Sequence, residues 1–243
     1  MHDVIYQSDH LRAVLYHAST PSTKLLCEFD YLDNKRDGFP SLLSSPSACE
    51  HGFNVLKIDT SANNWFLSDD VLQLGDALEI FATDYNYVVA LCMSMGIMPA
   101  LMFSRALNIQ KLMAFSPVIS IFGDDIDDKR FRSFQKYITN PNARHLWKDG
   151  NKNIEGVICY DPATHPIDRL QANLIINHYP TLKPLAMPYA GHPCFQIIKE
   201  VMGFKAIQDL VLGDGFEVAL LRDMHKRCRG KSELYKKRLK LKN

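Results

Sequence analysis

Residues 88–96 read Val-Val-Ala-Leu-Cys-Met-Ser-Met-Gly, and this stretch decides how the rest of the chain is interpreted. Its first part, Tyr87–Cys92, is continuously apolar and rich in β-branched side chains, which is typical of a strand buried on both faces. Apolar residues at helical spacing follow over Met95–Leu107. Ser94 therefore lies in a sharp turn, where the helix start offers positive potential and the Met95 amide to a developing negative charge. The stretch predicts a nucleophilic serine, and a simple helix cap is the alternative.

Strand patterns and helix patterns alternate along the whole chain. This alternation predicts an α/β protein with a mostly parallel central sheet flanked by helices. The predicted strands are Leu11–His17, Lys24–Asp30, Phe53–Asp59, Tyr87–Cys92, Lys111–Phe115, Ile154–Tyr160 and Pro184–Met187. The predicted helices run from Ser68 to about Ala82 and over Met95–Leu107, Ile167–Asn177 and Phe195–Met202, and helical patterns continue to the end of the chain.

Composition is that of an ordinary globular domain, with 243 residues, 47% hydrophobic and 23% charged. No stretch approaches the roughly 18–20 apolar residues of a membrane-spanning helix, and the first residues do not resemble a secretory signal. Cys27, Cys92 and Cys159 lie in apolar runs, so we expect buried free thiols rather than disulfides. No cysteine pair has the spacing of a metal site. We therefore expect a reduced, cytoplasmic protein that binds no metal.

The last eighteen residues carry most of the charge asymmetry. Residues 226–243 hold nine Lys or Arg and one acid, a net charge of +8, whereas residues 1–225 carry −7. We predict one domain over 1–225 and a basic tail over 226–243. Such a tail either contacts an anionic partner or surface, or docks as a solvated helix on the acidic body. Nucleic acid is not the expected partner, because Tyr235 is the one aromatic residue of the tail and no binding motif accompanies it.

Several segments between about residues 24 and 204 resemble one protein family. They are Gly52–Val55, Asn63–Trp65, Ser94–Gly96 with Ala100–Leu101, Leu107–Asn108, Met113–Pro117, Tyr160–Pro162 and Gly191–His192. Together they resemble a group of bacterial α/β-hydrolase-like proteins that often accompany surface-polysaccharide or glycan-handling genes. The resemblance implies the α/β-hydrolase fold, esterase, deacylase or acyl-transfer chemistry, and no cofactor. One departure from the family pattern is Cys92, which stands two residues before the serine where the family has glycine.

The partners of Ser94 follow from the family's chain order of nucleophile, acid and histidine. His192 lies in a Gly-containing loop after the last predicted strand, and we predict that it is the general base. Two acids compete for the role of orienting it. Asp161 comes directly at the end of a strand and is favoured, whereas Asp168 opens a helix and has an N-cap as its alternative role. His165, between the two acids, is not expected to be the base.

Two further features bear on the reaction. Besides the Met95 amide, a second backbone donor to an oxyanion normally comes from the loop after an early central strand, here near Phe29, Asp30 or Tyr31, although no glycine-rich run is present. Residues 117–150 stand where the family carries a lid insertion. This segment is strongly charged, and its aromatic side chains either line a substrate pocket or pack the lid on the core.

These observations predict a serine hydrolase that cleaves an ester-like acyl bond through Ser94, His192 and Asp161 or Asp168, with an acylated glycan or a small ester as substrate. An acyltransferase with the same triad is an alternative, because only the acceptor differs. A catalytically inactive accessory protein that retains the fold is another, since Cys92 and the unclear oxyanion loop depart from the family.

Overall fold

The strands of the computed structural model pair into one eight-stranded sheet with the order β1-β2-β4-β3-β5-β6-β7-β8. The structure describes residues 2–42, 45–213 and 217–241, so Lys242 of the predicted tail lies outside the described residues. The strands are β1 (His2–Gln7), β2 (Leu11–Tyr16), β3 (Lys24–Phe29), β4 (Asn54–Thr60), β5 (Tyr87–Met93), β6 (Lys111–Phe115), β7 (Glu155–Tyr160) and β8 (Leu182–Ala186).

Six of the eight strands form a parallel sheet. β4, β3, β5, β6, β7 and β8 run parallel to one another, and β2 joins β4 in the antiparallel sense. The predicted mostly parallel sheet is therefore confirmed. β1, which the sequence analysis did not predict, adds an antiparallel hairpin to β2 at the edge. Its side chains are largely exposed, which explains why it lacks the apolar signal of the inner strands.

The register brings the carboxyl ends of the central strands to one edge of the sheet. Met93 at the end of β5 pairs with Phe115 at the end of β6, and Phe115 pairs with Cys159 of β7. Tyr160, the last residue of β7, pairs with Ala186, the last residue of β8. The loops that follow β5, β7 and β8 therefore leave the sheet side by side, although they are far apart in sequence.

Helices cover both faces of the sheet and bury two apolar layers. One layer includes α2, α3 and α4, and the other includes α1, α5, α6 and α7. The predicted flanking of the sheet by helices is confirmed. The helices are α1 (Pro46–Glu50), α2 (Val71–Ala82), α3 (Ile97–Met102), α4 (Pro166–His178), α5 (Gln196–Met202), α6 (Lys205–Leu212), α7 (Val218–Arg229) and α8 (Glu233–Lys240).

The helix after the serine is shorter than the pattern predicts. It ends at Met102 instead of Leu107. Gly150 packs so tightly on its last turn that a Cβ there would lie 2.1 Å from the carbonyl oxygen of Leu101. The Ser104 hydroxyl donates to this same carbonyl at 2.7 Å. The chain thus leaves the helix at Met102, while the apolar residues that follow, such as Phe103 and Leu107, remain buried.

Residues 117–150 contain two 3-10 segments, Arg132–Tyr137 and Pro141–Asp149, and no longer helix. Trp147 is fully buried and stacks on Tyr179, so the end of this segment is part of the core. The residues on which the tail prediction rested are mostly helical. The expected boundary at residue 226 falls inside α7, and α8 follows after a short turn. Within the described ranges, no helix has the length and apolarity needed to span a bilayer.

Candidate active site

Ser94 occupies a strained turn directly after β5. Its φ is +49°, a left-handed conformation that non-glycine residues seldom adopt. The chain then enters the 3-10 segment Ser94–Gly96, which leads straight into α3. Gly96 lets this turn pass close to β3, because a Cβ there would lie 2.7 Å from the carbonyl oxygen of Asp30 and 2.8 Å from that of Phe29. The strand, strained serine and helix together have the geometry of a nucleophile elbow.

The serine hydroxyl is hydrogen-bonded to a histidine from a distant part of the chain. Ser94 Oγ lies 3.0 Å from His192 Nε2. The other ring nitrogen, Nδ1, lies 2.9 Å from Asp168 Oδ2. This chain of two hydrogen bonds joins the loops after β5, β7 and β8. It allows the hydroxyl to transfer its proton to the imidazole while a carboxylate fixes the tautomer of the ring.

The structure reverses the preference that the sequence analysis gave to Asp161 over Asp168. Asp168 lies in the first turn of α4, which begins at Pro166 after the loop that leaves β7. Its side chain is fully buried and reaches the imidazole of His192. It does not cap the helix, because the N-cap position belongs to His165. The helix therefore carries the acid one turn inward from the strand end, a displacement that spacing alone does not reveal.

Asp161 is also buried, but it holds the backbone of two loops together. Its Oδ1 accepts hydrogen bonds from the amides of Ala163, Thr164 and Tyr189 at 2.8–3.1 Å. Its Oδ2 accepts from the Gly191 amide at 2.7 Å and from the Thr164 hydroxyl. Its carboxylate thus connects the end of β7 to the loop that carries His192, without being the carboxylate that contacts the imidazole.

The loop with His192 is supported by the C-terminal helix. The guanidinium of Arg238 on α8 donates to the carbonyl oxygen of Ala190 at 2.6 Å and to the side chain of Gln196. Gly191, with a φ of +87°, leaves room for this group, since a Cβ there would lie 2.4 Å from the guanidinium carbon. Tyr235 packs edge-on against Tyr189 at a ring distance of 5.7 Å. From the sequence alone, Arg238 is recognisable only as one charge of a basic tail.

The candidate oxyanion region lies between the elbow and the end of β3. Met95 follows Ser94 at the start of the 3-10 segment, as expected. Phe29 is still paired with Ile58 in the sheet. The Asp30 amide donates to the carbonyl of Ile58 at 2.9 Å, and the Tyr31 amide donates to Asp30 Oδ1 at 2.8 Å.

The acidic side chain of Asp30 is balanced by a cation. Both of its oxygens contact the guanidinium of Arg36, at 2.6 and 2.8 Å. Burial raises the pKa of Asp30, and the pairing with Arg36 opposes that rise. The carboxylate is therefore directed to Arg36 and to the Tyr31 amide, which reduces the repulsion that a bare acid would exert on a nearby oxyanion.

Aromatic and histidine rings surround the hydrogen-bonded chain. Phe131, from the 117–150 segment, lies between the fully buried Trp65 at 5.8 Å and His192 at 6.1 Å, measured between ring centroids. Phe134 also packs on Trp65. These aromatics thus pack the segment on the core, and Phe131 in addition forms one wall beside His192. His165 lies 5.7 Å from His192, and burial lowers its pKa, which favours the neutral ring.

Cys92 is the residue that departs from the family pattern, and it is fully buried in the core. Burial raises the pKa of its thiol well above the ordinary value, so the reactive thiolate is disfavoured. All three cysteines of the inner strands, Cys27, Cys92 and Cys159, are buried free thiols as predicted. Across the described ranges, no group of three or more His, Cys, Asp or Glu side chains is arranged to hold a metal ion.

A cavity of about 490 Å³ lies at the ends of β3, β4 and β5, and neither Ser94 nor His192 is among its lining residues. Met93, which directly precedes Ser94, lines it together with the Phe29–Tyr31 segment. Its lining also includes hydroxyl, amide and charged groups, which suits a polar ligand. These polar lining residues are Glu28, Asp33, Arg36, Ser41, Ser45, Ser47, Lys57, Asp59 and Gln208.

Solved structures of the same architecture superpose on most of the chain. A capsule O-acetyltransferase of Neisseria meningitidis serogroup A matches with a TM-score of 0.57 at 11% identity, over 85% of this chain and 93% of that one. Est1E from Butyrivibrio proteoclasticus matches with a TM-score of 0.54 at 13% identity, over 92% and 98%. A glycosylation-associated protein complex (Gap123) from Streptococcus agalactiae gives 0.57 at 10% identity, over 88% of this chain and 47% of that one.

No protein-family model matches the sequence, and no curated protein matches it either. At these low identities the structural neighbours bear on the fold and not on the reaction. The parallel sheet and the two layers of helices agree with their architecture. The α/β-hydrolase resemblance noted in the sequence is confirmed at the level of the fold. This chain has the α/β-hydrolase fold.

Proposed function

We propose that this protein is a serine enzyme that transfers an acyl group from an ester-like bond to Ser94 and then to water. The observation that carries the proposal is the 3.0 Å hydrogen bond between Ser94 Oγ and His192 Nε2 at a serine of positive φ. A serine that merely capped a helix would need neither feature. Asp168 is the third member, because its contact with Nδ1 fixes the tautomer in which Nε2 accepts a proton.

The reaction follows from this geometry. His192 removes the hydroxyl proton as Ser94 attacks the acyl carbon, and the charged imidazolium is stabilised by Asp168. We assign the Met95 amide as the first donor to the oxyanion and the 29–31 segment as the source of the second. Within that segment Phe29 is paired in the sheet, so the Tyr31 amide is the better candidate. To donate to the oxyanion, this amide gives up its hydrogen bond to Asp30 Oδ1. His192 then returns the proton to the leaving group, and water repeats the sequence on the acyl-enzyme.

The substrate that we propose is an acylated glycan or a small ester. The cavity beside Met93 is lined by hydroxyl, amide and charged groups, which are suited to a polyhydroxylated ligand. Phe131, whose ring carries the Arg130 guanidinium at 5.0 Å, adds an aromatic edge beside His192 that a sugar ring can contact. Two structural neighbours act on a capsule or accompany glycosylation by their names, which supports this choice of substrate class.

Acyl transfer is the second candidate. One neighbour of the same fold is named as a capsule O-acetyltransferase. The hydrogen-bonded chain serves hydrolysis and transfer equally, because only the acceptor of the acyl group differs. The polar cavity that Met93 lines is a binding region for the rest of a polyhydroxylated acceptor.

The first experiment is labelling with a fluorophosphonate probe, followed by mass spectrometry of the modified peptide. We expect the folded wild type to be labelled at Ser94, and Ser94→Ala and His192→Ala to remain unlabelled. His165→Gln is the matched control, since its ring lies 5.7 Å from His192 and outside the hydrogen-bonded chain. A folded wild type that never labels would favour the accessory-protein alternative.

The second experiment separates hydrolysis from transfer. An activated acetyl ester is mixed with the wild type in the presence and absence of oligosaccharide acceptors. Release of acetate alone supports hydrolysis, whereas an acetylated sugar formed in a Ser94-dependent way supports transfer.

A further inference from the structure

Asp168 shares its two carboxylate oxygens between two partners. Oδ2 contacts His192, and Oδ1 accepts a hydrogen bond of 2.7 Å from the guanidinium of Arg130. We propose that Arg130 is a positioning residue through which the 117–150 segment holds Asp168 in place and competes with the His192 ring for its carboxylate. This inference deepens the proposed function and rests on it for its catalytic meaning, whereas the contact of Arg130 with Asp168 stands independently.

Arg130 is itself held in a closed network. Its guanidinium makes a two-point contact with Asp128, at 2.9 and 2.7 Å, while it reaches Asp168. Gln171, three residues after Asp168 on the same face of α4, donates to Asp128 at 3.2 Å. The side-chain oxygen of Gln171 (Oε1) accepts hydrogen bonds from the backbone amides of Ile119 and Ser120. The start of the 117–150 segment is therefore hydrogen-bonded to the helix that carries Asp168.

The charges explain why an arginine is needed at this point. Asp128 and Asp168 are both buried, and two buried carboxylates without a cation would be strongly unfavourable. Burial works against the charged form of Arg130, but the two acids outweigh it and raise its pKa. Burial likewise opposes the charged form of Asp128, and the contacts with Arg130 lower its pKa below the ordinary value. One arginine therefore contacts both buried carboxylates.

The same cation weakens the hold of Asp168 on the imidazolium. A positive charge on Oδ1 draws on the same carboxylate that would stabilise the protonated ring. If Arg130 is removed, Asp168 acts on His192 alone and the ring retains its proton to a higher pH. Proton uptake from Ser94 then begins at a higher pH, and the carboxylate loses one of its two fixed contacts.

Several other ionisable groups face His192, and none of them duplicates this contact. Asp161, at the end of β7, contacts the amide of Gly191 in the adjoining position. His165 lies beside the ring in the loop before α4. Cys194, two residues further along the loop, is buried and its thiol pKa is raised by burial to about 12. Arg238 on α8 contacts the carbonyl of Ala190 and not a carboxylate of the site.

The test compares the wild type with Arg130→Gln, Arg130→Lys and Arg132→Gln. Arg132 is the matched control, because this exposed arginine two residues away pairs with the exposed Asp127. Each variant is first checked for folding by thermal unfolding, and the rate of fluorophosphonate labelling is then measured from pH 5 to 9. In Arg130→Gln we expect a plateau at least about tenfold lower and an acid limb whose midpoint lies at higher pH.

Arg130→Lys separates charge from geometry. An ammonium restores the positive charge but not the planar two-point contact. We therefore expect its acid limb to return toward that of the wild type while its plateau stays low. Arg132→Gln should match the wild type in both. If Arg130→Gln leaves the limb and the plateau unchanged, or if it shifts them no more than Arg132→Gln does, the proposal is wrong.

A second measurement keeps the proposal separate from the proposed function. The ring protons of His192, assigned through their loss in His192→Gln, are followed by NMR over the same pH range. We expect the midpoint of this titration to rise in Arg130→Gln even if the protein never reacts with the probe. If Arg130→Gln does not fold, the proposal is tested with Arg130→Lys instead. It is overturned if that variant matches the wild type both in the His192 midpoint and in the plateau of the labelling rate. If the wild type is not labelled but the His192 midpoint still shifts in Arg130→Gln, the proposed enzymatic function is contradicted, whereas the proposed effect of Arg130 on His192 is supported.

Discussion

At the scale of single residues, the two buried acids near His192 have different partners and should fail in different ways. Asp168 contacts the imidazole and Arg130, whereas Asp161 accepts hydrogen bonds from four backbone amides and one hydroxyl. One acid therefore affects a proton transfer, and the other affects the position of a loop.

We predict that Asp168→Asn lowers the labelling or turnover rate by about 10³–10⁴-fold, the size of effect found when a triad acid becomes an amide. The amide no longer stabilises the imidazolium and favours the wrong ring tautomer. The rate is measured with an activated ester at the pH plateau, after far-ultraviolet circular dichroism has established that the variant is folded. A loss of less than tenfold would remove Asp168 from the triad.

For Asp161→Asn we expect mainly a loss of stability. An asparagine presents an NH₂ group where Asp161 Oδ1 or Oδ2 now accepts amides, so at least one buried donor loses its acceptor. The cost is about 1–3 kcal/mol in the free energy of unfolding. Denaturant unfolding measures it, and the rate at the plateau should fall far less than in Asp168→Asn. A larger rate loss in Asp161→Asn would restore the assignment that strand position favoured.

The residues of the site differ in how far sequence reasoning reaches them. Ser94 and His192 lie in short local patterns whose geometry the chain order predicts, and the structure joins them by one hydrogen bond. The choice between Asp161 and Asp168 depended on the direction in which the first turn of α4 faces, which no local pattern states. Arg130 was recognisable only as one charge in an acidic and basic stretch. A buried carboxylate such as Asp168 requires a partner besides His192, and a search for a nearby cation would have led to Arg130.

At the scale of elements, α8 connects the end of the chain to the loop that carries His192. Arg238 donates to the carbonyl of Ala190 at 2.6 Å, and Tyr235 packs on Tyr189. A docked helix was one of the two predictions made for the basic tail, but its contact with the His192 loop was not predicted. Charge composition describes a surface, whereas docking depends on a few side chains at fixed positions along one helix face.

We predict that Arg238→Gln reduces the labelling rate by about tenfold while the protein stays folded. Charge-assisted hydrogen bonds of this kind contribute about 1.5–3 kcal/mol. Here they hold the carbonyl of Ala190 directly and that of His192 through the side chain of Gln196. Lys237→Gln is the matched control, because this neighbouring lysine is exposed. Both variants are measured by the pH plateau of labelling and by thermal unfolding. Equal rates in Arg238→Gln and Lys237→Gln would mean that α8 has no influence on His192.

At the scale of the whole molecule, the sheet was predictable and its periphery was not. Inner strands such as β5 and β6 are recognisable in the sequence as continuous apolar runs, because they are buried on both faces. β1 is largely exposed, and α3 ends at Met102 with Gly150 packed against its last turn. The pairing of β1 with β2 and the packing of Gly150 on α3 are tertiary contacts, which a local sequence pattern does not report.

Stability of the whole molecule should depend on pH through His225, which is buried on α7. Burial, followed by repulsion from Arg229, lowers its pKa from 6.5 to about 4. Between pH 6.5 and 4 the unfolded chain binds a proton at this ring that the folded chain does not bind. The free energy of unfolding therefore falls as the pH falls through this window, and the loss amounts to about 2–3 kcal/mol near pH 4.

We predict that His225→Gln removes this part of the pH dependence, because glutamine is neutral at every pH in the window. Denaturant unfolding at pH 7.5, 6, 5 and 4.5 gives the free energies for the wild type, His225→Gln and the exposed control His2→Gln. Buried Asp30 and Asp59, whose pKa values are raised by burial, oppose the trend equally in all three proteins. The difference between wild type and His225→Gln therefore isolates the one ring. We expect that difference to shrink steadily below pH 6.5, and a constant difference across the series would show that His225 is not held neutral by the fold.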